Sequence, residues 1–333
     1  MSKRATIYDV AKDSEVSITT VSRYLNNSES VKDETGLRIS ASMERLDYIP
    51  QGNAGTKASQ SVRRVGVLTP FFPAPSFVDR LRGMIPCFKE KNFEVIIYTI
   101  ESPEQLAEYL SSVPFTRRLD GLILMSIHLN PEQNRILQAS DLHVVMIESD
   151  DENYSRILAD DQKGGQIAAE LFIKKNYLPC AFMGDENQNI TYSCHPSELR
   201  LKGYRETLKK AGYNLPDSNI LESNTTVEDS LRVFRQFLDA GNRVRAIFAM
   251  CDLQAVGIIK AAREKNLRIP EDMAVLGFDD IESADWMGLS SISQHLGDSG
   301  RIAAQLLLEM ITSNGNVIQK VNLQVGLVER STT

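Results

Sequence analysis

Tryptophan occurs once, cysteine four times and histidine four times in this 333-residue chain. Cys87, Cys180, Cys194 and Cys251 lack close-paired spacing, and His128, His143, His195 and His295 form no ligand motif with them. No metal site is therefore expected, and the cysteines read as scattered thiols of a reducing compartment. No apolar run approaches the roughly eighteen residues of a membrane span. The opening MSKRATIYDV has no apolar signal core, so a cytoplasmic location is expected. A Gly-rich phosphate loop and G-x-S-x-G are also missing, so no enzymatic activity and no cofactor are expected.

What is present is length and patterned apolar sequence. The chain is too long for one ordinary core, and two or three domains are expected. Charged residues make up 24%, a soluble globular composition, with a net charge of −7. That charge is unevenly spread. Residues 1–64 hold ten Lys/Arg against eight Asp/Glu, whereas the rest holds 27 against 36. A small cationic module thus precedes an acidic body, and any polyanion would be met by the module's local face.

The stretch Thr6–Asn27 reads TIYDVAKDSEVSITTVSRYLNN. Thr6 can cap a helix, with Asp9 closing a capping box. Ile7, Val10 and Ala11 then share one helical face. Asp13-Ser14-Glu15 breaks that helix, and Ser17 caps a second, with Val21 and Leu25 on its buried side. Two short helices around a tight turn make a helix-turn-helix. The outward side of the second helix carries Ile18, Thr19, Ser22, Arg23 and Asn26, which suit base edges in a major groove. A solvated amphipathic pair would show the same spacing.

The string T-I-Y-D-V-A, then V-S-x-x-T-V-S-R-Y-L-N, then Leu46, Tyr48 and Pro50, resembles the headpiece of the lactose/galactose-repressor family of bacterial transcription regulators. The resemblance implies a DNA-binding face that also includes Thr6, Tyr8, Ser17 and Thr20. A third helix is expected from a cap at Asp33 to about Leu46, with Ile39 and Met43 inward. Gly36 within it costs about 1 kcal/mol against Ala.

Residues 51–63, QGNAGTKASQSVR, read as a linker by composition. In the family this place holds a hinge helix of pattern Pro-Asn-x-x-Ala-Arg-x-Leu whose leucine wedges the minor groove. Here Pro50 and Ala54 match, but Gln51, Gly55 and Lys57 replace Asn, Arg and Leu. An ammonium cannot act as an apolar wedge, and Gly52 and Gly55 weaken a helix. Lys57 is expected to contact phosphate or groove rim, with less bending of the DNA.

From Val65 the pattern becomes short apolar runs separated by helix-length segments. VGVL (65–68), EVIIYT (94–99), GLILM (121–125), VVMI (144–147) and RILA (156–159) form one series. CAFMG (180–184), NILE (219–222), AIFAM (246–250) and AVLGF (274–278) form another. This is βαβ alternation, with sheets covered on both faces. The expected class is α/β: an all-α headpiece (1–50), a linker (51–63) and two doubly wound parallel lobes of the periplasmic-binding-protein-like type (64–333). The first lobe is expected at about 64–160 plus 293–320, and the second at about 161–292 plus 321–330. VNLQVGLVER (321–330) reads as one edge or crossover strand.

Open parallel sheets bind ligands beyond the carboxyl ends of their strands. The residues there are Ser76 and Phe77, Glu148, Asp160 and Asp161, Asp252, and Asp279-Asp280, with Arg200 opening RLKGY. Carboxylates, a guanidinium and an aromatic ring suit a polyol. Asp after a strand is equally a common helix cap, and Asp252 fits that reading too. The resemblance implies effector contacts at Arg200, three residues before Gly203, and at Asp279. Glu148 stands where many members have Asp, Cys251 where the lactose repressor has Asn, and Thr225 where an aromatic is frequent. Trp286 is expected to supply the missing ring.

The expectation is thus a homodimeric regulator, a repressor of a carbohydrate operon. It would bind a palindromic operator and answer to a sugar-like effector, or to a protein or small-molecule corepressor. The rivals are a transport-associated solute-binding protein, which would lack the N-terminal helix pair, and a cleft enzyme using paired carboxylates.

Overall fold

The computed structural model describes residues 6–26, 31–46, 48, 63–115, 119–140, 142–186, 191–313 and 317–333. Lys57 and the expected hinge lie outside the described residues. The chain divides into two units, Met1–Val62 and Arg63–Thr333.

The first unit contains α1 (Ile7–Asp13), α2 (Ile18–Asn26) and α3 (Asp33–Arg45). Thr6 precedes α1, and its amide and hydroxyl both donate to the Asp9 carboxylate at 2.8 and 2.6 Å. Ser17 caps α2 by accepting from the Thr20 amide at 3.1 Å. Val10, Ala11, Val21 and Ile39 are the buried centre, flanked by Leu25, Met43 and Leu46. The expected cap at Asp33 shifts by one: Asp33 is the first helical residue, and the Lys32 carbonyl accepts from Thr35 and Gly36. Gly36 has a packing reason, since a Cβ there would lie 3.1 Å from the Tyr24 ring.

The turn between α1 and α2 places Glu15 at φ 55°, in the left-handed region that a side chain with Cβ disfavours. Glu15→Gly should relieve this and stabilise the helix pair by ~0.5–1 kcal/mol, after the entropy of glycine is deducted. Slower amide hydrogen exchange across α1 and α2 in the full chain is the check; unchanged or faster exchange would refute it.

The second unit holds two sheets of the same design. The first is ordered β2 (Phe93–Ile100), β1 (Arg63–Pro70), β3 (Gly121–Met125), β4 (His143–Ile147), β5 (Ser155–Ala159) and β11 (Lys320–Leu323), all parallel. The second is ordered β7 (Ile220–Ser223), β6 (Cys180–Asp185), β8 (Ala246–Ala249), β9 (Ala274–Asp279), β10 (Ser290–Ser293) and β12 (Gly326–Val328), with β12 antiparallel. The strands are apolar throughout because both faces are covered. In β3, Ile123 and Met125 pack with α4 (Pro75–Glu90) and α12 (Leu296–Ser313), while Leu122 and Leu124 meet α5 (Pro103–Ser112) and α6 (Pro131–Gln138). In the second lobe, Phe182 and Phe248 pack with α7 (Asp161–Lys174) and α8 (Pro196–Lys210); Met183 and Ile247 face α9 (Val227–Asp239) and α10 (Asp252–Glu264). None of the helices among the described residues is long and apolar enough to cross a membrane.

The chain crosses between lobes three times, near 160, 294 and 324. Two expectations change here. The terminal run is not one strand: residues 320–323 pair with β5 in the first lobe and 326–328 with β10 in the second. The boundary expected at 320/321 therefore falls between the two short strands. β10 itself, Ser-Ser-Ile-Ser, has too little apolar content to read as a strand. All four residues are nevertheless buried, because its serines bond to buried polar partners.

Candidate effector cleft and DNA-facing helix

At the carboxyl ends of both sheets, six residues turn with positive φ, of which Asp280 (57°) and His295 (55°) lie outside the cleft lining. The other four are Phe71 after β1 (57°), Ser126 after β3 (52°), Glu148 after β4 (67°) and Asp279 at the end of β9 (112°). All four line one cleft of about 790 Å³ between the lobes. Such backbone is uncommon for residues other than glycine and concentrates at functional sites.

Each lobe delivers one buried arginine to the cleft. Arg80 lies on α4 in the string Arg80-Leu81-Arg82-Gly83, and Arg200 on α8 in Arg200-Leu201-Lys202-Gly203. The two glycines do the same work. A Cβ on Gly83 would lie 1.9 Å from the Gly297 carbonyl of α12, and one on Gly203 1.9 Å from the Gln162 carbonyl of α7. Bare backbone contact sets each helix down far enough for its arginine to point into the cleft.

Arg80 donates to the Glu148 carboxylate and, at 3.1 Å, to Gln294 Oε1. Ser126 donates to the other Glu148 oxygen, and Gln294 donates onward to Asp279 at 2.6 Å. One polar chain thus runs from the first lobe, through a crossing residue, into the second. Arg200 donates from Nε to Asp161 at 2.8 Å and from Nη1 to the Met250 carbonyl, and lies 3.5 Å over the Phe278 ring. The lobes are also tied at the flanks. The His128 amide donates to the Tyr192 carbonyl (3.0 Å), the Cys194 amide to the Ser126 carbonyl (3.1 Å) and the Glu282 amide to Asp79 (3.2 Å).

Ser76, Phe77, Glu148, Arg200 and Asp279 all line the cleft. Three other expected effector contacts do not. Asp160 is exposed and accepts from the Lys163 amide at 2.9 Å, so it caps α7; its neighbour Asp161 turns to Arg200 instead. Asp252 is wholly buried, accepting from the Ile281 amide (2.9 Å) and the Ser291 hydroxyl (2.6 Å). It braces the loop after β9 from behind. Trp286, on the short helix α11 (Glu282–Trp286), is 79% exposed. The aromatic surface of the cleft comes from Phe71 and Phe77, with centroids 6.3 Å apart.

Arg80 and Gln294, like Phe71 and Ser126, line the cleft without having been expected there. Arg80 had a signal, the repeat of R-L-x-G at 80–83 and 200–203. Gln294 had none, since it follows the serine strand.

Burial pushes Asp161 above its usual range against the pull of Arg200, and pushes Asp252 well above it. Asp279 is raised by burial from 3.8 to about 6, against the pull of Arg200 and Arg80. A carboxyl with a raised folded pKa stabilises the fold fully below its unfolded pKa. That contribution is lost as pH rises through the folded value. Asp279→Asn should therefore gain on the parent in thermal midpoint from about pH 4 to about pH 6.5, then hold a constant lead. Parallel curves would refute the shift. Two thiols, Cys194 and Cys251, also line the cleft, and burial raises both, Cys194 to about 12, so neither is an activated nucleophile.

In the headpiece, Thr6, Tyr8, Ser17, Ile18, Thr19 and Arg23 are exposed, while Thr20 and Ser22 are half-buried. Ile18 (42% exposed) and Tyr8 (67%) are large apolar side chains left in solvent, as expected of a surface that meets a partner. The Asn26 side chain lies outside the described residues.

Residues 6–51 match the family described as bacterial regulatory proteins, lacI family, and residues 169–333 match the periplasmic binding protein-like domain. The chain joins a lacI-family helix-turn-helix to a periplasmic-binding-protein-like domain. It is 28% identical to the ribose operon repressor of Escherichia coli strain K12, over 98% of this chain and 99% of that one. Identity with the transcriptional repressor PurR of Klebsiella pneumoniae is 27%, covering 98% and 96%. The solved complex of the transcriptional regulator CelR with cellobiose shares the fold, with a TM-score of 0.71 at 24% identity over 99% and 100% of the two chains. With that helix-turn-helix preceding a two-lobed receptor in the sequence, the chain is a DNA-binding transcription regulator.

Proposed function

We propose that this chain is a repressor of a carbohydrate-utilisation operon. It acts as a homodimer on a palindromic operator and is controlled by a sugar-like effector between the lobes. The observation that carries this is the convergence of Arg80, Arg200, Glu148 and Asp279 on one cleft that Phe71 and Phe77 line. Hydroxyls can donate to the carboxylates and accept from guanidinium, while a ring covers an apolar sugar face. The ribose operon repressor is named for a sugar operon, and the CelR complex holds a disaccharide. On the DNA side, Ile18, Thr19 and Arg23 enter the major groove, and two-fold symmetry sets the operator's palindrome. The effector acts by favouring one lobe angle over another.

The test is a thermal-shift screen against mono- and disaccharides, followed by titration of each hit into an operator complex. A rise in midpoint with release of DNA supports an inducer, and a rise with tighter DNA binding supports a corepressor. Turnover of a sugar by the purified chain, or no preference for any inverted-repeat duplex at low salt, would refute the proposal.

A further inference from the structure

Both cleft arginines are already committed to carboxylates of this chain. Arg80 is 2% exposed and holds Glu148; Arg200 is equally buried and holds Asp161. The cleft lining holds Glu148, Asp185 and Asp279, and Asp161 pairs with Arg200 beside it, four acids against two guanidiniums. His195 Nδ1 lies 3.7 Å from Asp185. Much of the remaining lining is apolar, with Phe71, Phe77, Met250, Leu253 and Ile281, so charges in the cleft are weakly screened.

We infer that the effector carries no negative charge, being a free polyol rather than its phosphate ester or acid, and that Glu148 sets this preference. An unpaired arginine is a ready partner for phosphate or carboxylate. In this cleft Glu148 stands at φ 67° at the end of β4, reaches across to Arg80 on α4, and accepts from Ser126 with its second oxygen. The pair leaves Arg80 neutralised, and an incoming anion meets Asp279 and Asp185 while both guanidiniums are already held by carboxylates. Hydroxyls meet no such penalty, because carboxylates accept from them.

This inference rests on the sugar reading of the cleft, and its test separates the two. Ribose, glucose and cellobiose are titrated calorimetrically into the full-length protein beside the phosphate monoesters of the first two and gluconate. The free sugar that binds should do so ~10-fold or more tighter than its charged counterpart. Glu148→Gln should narrow that ratio by ~10-fold, by releasing Arg80 to the anion. Glu148→Asp, which keeps the charge, should retain the exclusion. Equal or tighter binding of a phosphate ester by the wild-type protein overturns the inference without touching the sugar reading. So does an unchanged ratio in Glu148→Gln, or equal loss in both variants. Binding of no member of either set removes the sugar reading itself, and the inference with it.

Discussion

Replacing Arg200 by methionine should abolish the response to effector while leaving operator binding intact. The guanidinium joins Asp161, the Met250 carbonyl and the face of Phe278 in one buried spot, and no smaller cation fits that geometry. Removing it strands Asp161 as a buried unpaired carboxylate, which costs ~3–5 kcal/mol. The stability loss could be mistaken for a lost binding site. The double variant Arg200→Met/Asp161→Asn separates them, since it removes the stranded charge. Urea unfolding should show most of the stability restored, while thermal shift with effector and effector-driven change in operator retention both stay flat. A normal effector response in either variant would move the ligand away from the second lobe's wall.

Asp252 should give the opposite kind of result, a large loss from one substitution and almost none from a close relative. Asp252→Ala leaves the Ile281 amide and the Ser291 hydroxyl buried without their acceptor. At ~1–3 kcal/mol for each orphaned group, the total is several kcal/mol. Because the bracket holds the loop that presents Asp279, effector affinity should fall as well. Burial pushes the Asp252 carboxyl well above its usual range, and Asp252→Asn offers the same shape with one acceptor and one donor. It should match the parent in unfolding and in effector affinity. If Asn proved as damaging as Ala, Asp252 would have to act as a charge, and the ligand-contact reading would return.

These two residues show what the sequence could and could not disclose. Arg200 and Asp279 were legible because a motif and a strand end fix them, and both line the cleft. Asp252 sits at an equally good strand end, yet its side chain turns inward because Ser291 and the Ile281 amide wait there. Ser291 lies on β10, and a strand whose serines are satisfied by polar partners has no apolar signature. Asp160 and Asp161 differ by one position, but only one lies on the Arg200 side of α7. Sequence spacing has no means of separating neighbours at a helix start, where the first turn decides which carboxylate caps and which reaches out.

The repeated R-L-x-G string carries a consequence for folding autonomy. In each half of the receptor, the helix bearing the arginine rests its glycine on a helix that arrives from a crossing: α12 for the first lobe and α7 for the second. Residues 63–160 taken as a separate polypeptide would lack α12 and β11. Gly83 would then face water, and Ala303, Ala304 and Leu307 would be missing from its hydrophobic centre. The halves are copies of one plan, yet they are interlocked. The first is not a module that could be excised as one continuous segment or synthesised first as a finished piece.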